Sequence, residues 1–307
     1  MNNVCGIYGF QITRPIDLPG LRIEPLTNDH RQAEDWARDT DNYHLTAILK
    51  GTSISDDLLF NLEAILSFVE HLEVLITSPE KQINDDPFAQ FSPNLTIRRR
   101  GNGGGKVIGI DTSFPHSRSL FISKALDRLR DEQFCKETQF NVLFFKCVET
   151  FRQPRPFVDV SYFLLYSGLE SYARSVHDLS EVDDGPAANP SIQICELCGR
   201  KLQNKRKELS SSELIYKLLI GYGFDIHQEI KRSSDAHKAV ATYTHLRNAL
   251  FHNSKCTAAT KVNGVTVELK LFDYMPNFIP LVALVILKAI EFDDGSINWN
   301  RWISMQY

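Results

Sequence analysis

Along the first hundred residues the apolar positions come in short runs. Val4 to Ile12, Leu21 to Pro25 and Tyr43 to Lys50 are β-leaning and separated by Pro, Gly and Asn/Asp turns, which predicts strands. From Asp57 to His71 the period changes. Leu58, Leu59, Leu62, Ile65, Leu66 and Val69 recur at the spacing of one helical face, and Ser55 stands where an N-cap belongs. Leu72 to Thr77 reads as a strand again. Asn94 to Arg100 and Lys106 to Asp111 predict two arms of a hairpin around Gly101-Asn102-Gly103-Gly104-Gly105.

From Ser117 onward the spacing is helical. Ser117 to Phe134, Glu137 to Phe151 and Phe157 to Asp178 are amphipathic or largely apolar stretches. Residues 179–210 are polar and predict a long loop, of the kind that is functional or disordered. Ser212 to Tyr222 and Ser234 to His252 predict helices. Val262-Asn263-Gly264-Val265 is a hairpin turn signal between two short β runs. An apolar helix over about Pro276 to Phe292 closes the pattern. The expectation is an α+β protein: a mixed, β-rich N-terminal domain over residues 1–112, then an all-helical domain over 113–307 that carries a β-hairpin insertion.

A chain of 307 residues is long enough for two such domains. Hydrophobic residues at 43% and charged residues at 23% exclude disorder over the whole length. Six cysteines are too few for a disulfide scaffold. Met1 to Gly6 has no basic start and no apolar run after it, so no secretory leader is expected. The longest apolar stretch, Phe278 to Ile290, contains Lys288 and falls short of the roughly 20 residues a membrane span needs. A cytoplasmic protein with reduced thiols and no membrane partner is the expectation. The net charge of −4 excludes nucleic-acid binding by bulk charge. That charge is uneven: residues 1–112 carry −6 and residues 113–307 carry +2, so the second part is the one expected to meet a phosphate.

Four segments carry candidate chemistry. Arg98-Arg99-Arg100 before the glycine run and Lys106 after it invite a phosphate-loop reading. Val107 follows the lysine where Walker A requires Ser or Thr, so a hairpin tip with a solvated arginine edge is the expectation. Cys195-Glu196-Leu197-Cys198 has the spacing to grip one side of a structural zinc, with Cys256, His227 or His237 open as completing ligands. Arg200, Lys201, Lys205, Arg206 and Lys207 form a basic cluster just after it, a solvated face or an RNA contact.

The fourth segment is Tyr243-Thr-His245-Leu-Arg247-Asn248-Ala-Leu-Phe-His252, at the end of an amphipathic helix. His245, Asn248 and His252 fall on one polar stripe, while Leu246 and Leu250 face the core. Arg247 and His252 are five apart, ~140° around a regular helix, so they do not stack directly. They meet if Arg247 reaches around, if the helix ends near His252, or if a second subunit completes the site. The plainer reading is a polar helix face ending in a histidine favoured by the helix dipole.

Arg247-Asn248-(x)₃-His252 resembles the R-x4–6-H signature of HEPN domains, in which a polar residue, often Asn, follows the Arg. The stretch Tyr162-Phe-Leu-Leu-Tyr166 to Leu169-Glu170-Ser-Tyr172 looks like the earlier long HEPN helix. A β-containing domain ahead of such helices resembles the ApeA-type HEPN proteins of bacterial anti-phage defence. The resemblance covers about residues 115–292. It implies a metal-independent endoribonuclease in which a ribose 2′-OH attacks its own phosphate, leaving a 2′,3′-cyclic phosphate and a 5′-OH.

The residue types suit that chemistry. His252 can serve as general base or general acid. Arg247 can hold the non-bridging phosphate oxygens bidentately. Asn248 could orient the imidazole or bind a phosphate oxygen. His245 is a second histidine on the same face, and Glu170 and Arg174 on the earlier helix are further candidates as helpers. One site supplies one such histidine, so a homodimer with facing motif helices is expected. The implied partners are RNA, either tRNA or mRNA, and a phage-derived trigger or regulatory partner. No cofactor is needed for that chemistry. Two other readings stay open: a non-catalytic HEPN module for dimerisation and RNA or protein binding, and a zinc-stabilised binding protein built on Cys195 and Cys198.

Overall fold

The computed structural model describes residues 3–83, 85–99, 106–109, 116–153, 157–183, 193–194, 201–202, 209–224, 236–262 and 265–300, the side chains of 179–183, 193–194, 201–202, 236–239 and 262 excepted. The protein is a mixed α+β molecule, β-rich at the N-terminus and helical beyond it. The first part holds β1 (Asn3–Tyr8), β2 (Ile16–Leu18), β3 (Leu21–Pro25), α1 (His30–Arg38), β4 (Tyr43–Gly51), α2 (Asp56–Glu70), β5 (Leu75–Ile76), β6 (Glu80–Lys81) and β7 (Asn94–Leu95). The strands form one antiparallel sheet in the order β2-β3-β4-β1-β5, with β6 added to β1 and β7 to β4. Ser55 caps α2 by accepting the Leu58 N–H, as the sequence predicts.

The second part holds α3 (Ser117–Arg130), α4 (Glu132–Thr138), α5 (Phe140–Arg152), α6 (Val158–Asp183), β8 (Gln193–Ile194), β9 (Lys201–Leu202), α7 (Ser211–Gly221), α8 (Ala236–Asn253), β10 (Thr257–Val262), β11 (Val265–Lys270) and α9 (Leu271–Ala289). The expected hairpin between the last two helices is β10–β11. The expected boundary near residue 112 lies outside the described residues. One apolar core joins Cys5, Ile7 and Leu49 of the sheet and Ile65 and Phe68 of α2 to Phe121, Phe144 and Tyr162 of the helices.

Several expectations need correction. The polar stretch 179–210 is not one long loop: α6 runs on to Asp183, and β8 pairs with β9 through Gln193↔Leu202 and Ile194↔Lys201. The hairpin around residues 101–105 does not form in the described residues. β7 pairs with β4 rather than with a returning arm, and Lys106 to Gly109 are not a strand. Val107 and Ile108 are both buried in the core. The reason lies in Arg99, expected on a solvated edge but buried. Its guanidinium donates to the carbonyls of Glu73, Ala37 and Gly9, and its backbone N–H donates to Thr40 O. Gly9 sits at φ +82°, and a Cβ there would lie 2.8 Å from Arg99 Nη2.

The first helical stretch divides at Asp131, which ends α3 and caps α4 by accepting the Phe134 N–H. Gln139, in the left-handed region at φ 59°, turns the chain into α5. α9 has 19 residues and a mean hydropathy of 1.5, long and apolar enough to cross a membrane, contrary to the expectation from length. Here 72% of its most apolar 18-residue window is buried, against α5 and α6 among others, as in a core helix.

The sheet and the helices meet at a buried ion cluster. Glu70, the last residue of α2, accepts the Gln11 N–H and Arg118 Nη1, each at 3.0 Å, and also Lys106 Nζ. Arg118, in the first turn of α3, is fully buried and reaches Gln11 O and Gly109 O. Burial alone would raise the Glu70 pKa. The cations of Lys106 and Arg118 outweigh it and hold the carboxyl down at about 2. A depressed folded-state pKa stabilises above the ordinary carboxylate pKa, and that stability is lost as pH falls toward 2. Glu70→Gln, which leaves the buried Arg118 without its counter-charge, should cost about 3–5 kcal/mol. Thermal unfolding followed from pH 7 downward should show the two proteins converging below ~pH 4.

Candidate active site

The motif helix is located by its neighbour. Tyr162, Tyr166 and Glu170 stand at four-residue intervals on α6, so they line one face. Each reaches α8. Tyr162 Oη donates to Tyr243 O at 2.7 Å. Tyr166 Oη and Thr244 Oγ1 are 2.9 Å apart. Arg247 Nη2 donates to Glu170 Oε2 at 3.2 Å. Burial pushes the Tyr166 hydroxyl up to about 12, so it stays protonated across the physiological range. Phe278 of α9 packs on the rings of Tyr162 and Tyr243 at 5.0 and 4.7 Å. The rotation and height of α8 therefore follow from α6.

Arg247 is held on several sides. Nη1 donates to Asn248 Oδ1 at 2.9 Å, and Nε is buried with no hydrogen bond. The guanidinium lies over the rings of Tyr166 and Phe251, 5.5 and 5.1 Å from their centroids. Glu170 is tied down in turn, because the Ser211 hydroxyl at the start of α7 donates to its Oε1. Arg247 and Glu170 keep only 25% and 18% of their side-chain surfaces exposed, a setting in which an ion pair holds a fixed geometry.

His252 is exposed on the last turn of α8. That helix ends where the chain turns through Ser254 at φ 52°, with Ser254 N–H bonded to Leu250 O and Lys255 N–H to Ala249 O. The helix runs one residue past His252, to Asn253, so Arg247 and His252 both stand on its helical part. Asn248 is half-buried one turn before His252, and His245 is exposed a turn earlier still. Phe251 and Phe163 of α6 stack at 4.7 Å with part of each ring in solvent. Beside them is an open groove of about 350 Å³ lined by Asp159, Val160, Phe163, Leu250 and Phe251.

The structure thus brings Arg247, Asn248 and Glu170 together, with His252 and His245 on the same helix. Arg174 is exposed, and the hydrogen bonds of Arg247 go to Asn248 and Glu170 instead. Cys195, Cys198, Arg200, Lys205, Arg206 and Lys207 lie outside the described residues, as does the side chain of Lys201 in β9. Among the described residues no three His, Cys, Asp or Glu side chains are grouped to hold a metal ion. Tyr166, Phe251 and Ser211 were not legible as site residues. Their helical spacing marks faces, but no pattern links residue 170 to residues 211 and 247. No family model, curated protein or solved structure matches the chain.

The two motif ends differ in what they support. Arg247→Ala should lower stability by about 1–2 kcal/mol, since Glu170 is left without its partner. His252→Ala at an exposed position should stay within ~0.5 kcal/mol of wild type. Chemical denaturation of both variants checks this, and it makes His252→Ala the clean probe of chemistry.

Proposed function

We propose that the chain is a metal-independent endoribonuclease of the HEPN type, acting as a toxin or anti-phage defence effector. The observation that carries this reading is the guanidinium of Arg247, oriented by neighbours on α6 and α8 and set near the end of a helix whose last turn exposes His252. A pre-oriented arginine suits the charge that develops on a phosphorane. An exposed imidazole on the same helix suits transfer of the 2′-OH or 5′-oxygen proton.

In this reading the scissile phosphate lies against Arg247, Asn248 steadies either the imidazole or a phosphate oxygen, and His252 moves one proton. A second proton mover comes from the motif helix of a second copy. The exposed rings of Phe163 and Phe251 and the groove beside them supply apolar surface next to the motif for such a contact. RNA is the substrate, with unpaired nucleotides preferred because they bend into in-line geometry. The β-rich part would bind the trigger or regulatory partner, and a cytoplasmic location accords with this role.

The ion pair with Glu170 also favours a second reading. Arg247 tied to a carboxylate can simply pack helices in a non-catalytic HEPN module that binds RNA or protein.

Total RNA incubated in EDTA with wild type, Arg247→Ala and His252→Ala separates the two. Cleavage by wild type that leaves cyclic phosphate ends, reduced by about 10²–10⁴ in His252→Ala, is the expected result. Equal cleavage by all three would place the activity elsewhere.

A further inference from the structure

Glu170 has no proton to move in the proposed reaction, yet it accepts hydrogen bonds from two other helices at the site. Its Oε2 takes Arg247 Nη2 and its Oε1 takes the Ser211 hydroxyl. The guanidinium carbon lies over the rings of Tyr166 and Phe251, which make no hydrogen bond to it. Such contacts hold the charge but set no direction for its N–H donors. That direction is set by hydrogen bonds, one to Asn248 next in the chain and one to Glu170 on another helix.

We propose that Glu170 is a positioning residue. It fixes the in-plane direction of the Arg247 guanidinium and ties that direction to the first turn of α7 through Ser211. The assignment rests on the ribonuclease reading of the same site.

The carboxylate has two effects of opposite sign. It offsets the guanidinium charge, which weakens the pull on an incoming phosphate. It also aligns the donors before the phosphate arrives, so less reorganisation remains for the transition state. The first effect acts on binding and the second on turnover. They therefore separate in the kinetic constants.

Glu170→Gln keeps the size and a carbonyl acceptor but removes the charge. The KM for RNA should stay level or fall, while kcat falls on the order of 10- to 100-fold. Ser211→Ala should move kcat the same way by less, because it frees the carboxylate without removing it. A merely structural role would shift the melting temperature and leave the kcat of the folded fraction unchanged.

A readout independent of cleavage completes the test. Phenylglyoxal modification of single arginines, mapped by mass spectrometry, should speed up several-fold at Arg247 in Glu170→Gln. It should not change at Arg118, which is fully buried. An unchanged Arg247 rate overturns the proposal, as does a kcat within about two-fold of wild type. If wild type cleaves no RNA but Arg247 reactivity rises in Glu170→Gln, the ribonuclease reading falls and the clamp on Arg247 stands.

Discussion

The site depends on one stripe of α6. Tyr162, Tyr166 and Glu170 each hold a different point of α8, and the three points are a backbone carbonyl, a hydroxyl and a guanidinium. The tyrosine bonds are withdrawn from water, so a slip of α8 by one residue would leave buried polar groups unpaired. The cost of such a slip sets the register of the motif helix. The third contact uses that register to aim Arg247. Packing and site geometry are here one constraint, because the residues that dock the helix are those that surround its arginine.

A second constraint joins this bundle to the sheet. Glu70 is withdrawn from water, and a lone buried carboxylate would be unstable there. Arg118, Lys106 and the Gln11 N–H supply the compensation, and they come from α3, the segment before it and the loop after β1. Arg152 of α5 adds a pair with Glu63 of α2 at 3.3 Å. The β-rich part is thus bonded to the helices by charge as well as by apolar surface. α2 joins the two parts, since it packs on both α3 and α5.

Much of this was legible in the chain, and the rest was illegible for identifiable reasons. The period of α2 and its Ser55 cap were readable because burial is one-sided and the cap is local. The β10–β11 hairpin announced itself through Asn263-Gly264. α1 was not readable, since only Ala33 and Ala37 are buried and the remaining positions are mostly polar. Arg99 looked like a surface charge beside a glycine run. Its burial depends on three carbonyls 26 to 90 residues away, which no local pattern encodes. The site divides the same way. Arg247, Asn248 and His252 follow from spacing on one helix. Glu170 stood out only as a charged residue on α6, and Ser211 did not stand out at all, because their role is a contact between helices. Of the cysteine pair and basic cluster, only the short β8–β9 ribbon bracketing Cys195 to Arg200 is described.

The central claim is that Arg247 and His252 serve attack by a ribose 2′-oxygen. The most direct measurement uses an RNA whose cleavage site has been mapped, remade with a single 2′-deoxy nucleotide on the 5′ side of the scissile phosphate. Incubated in EDTA with wild-type protein, that RNA should stay whole at the substituted position while the all-ribose RNA is cut. Continued cutting at the deoxy position would show that another nucleophile attacks, and would contradict the account.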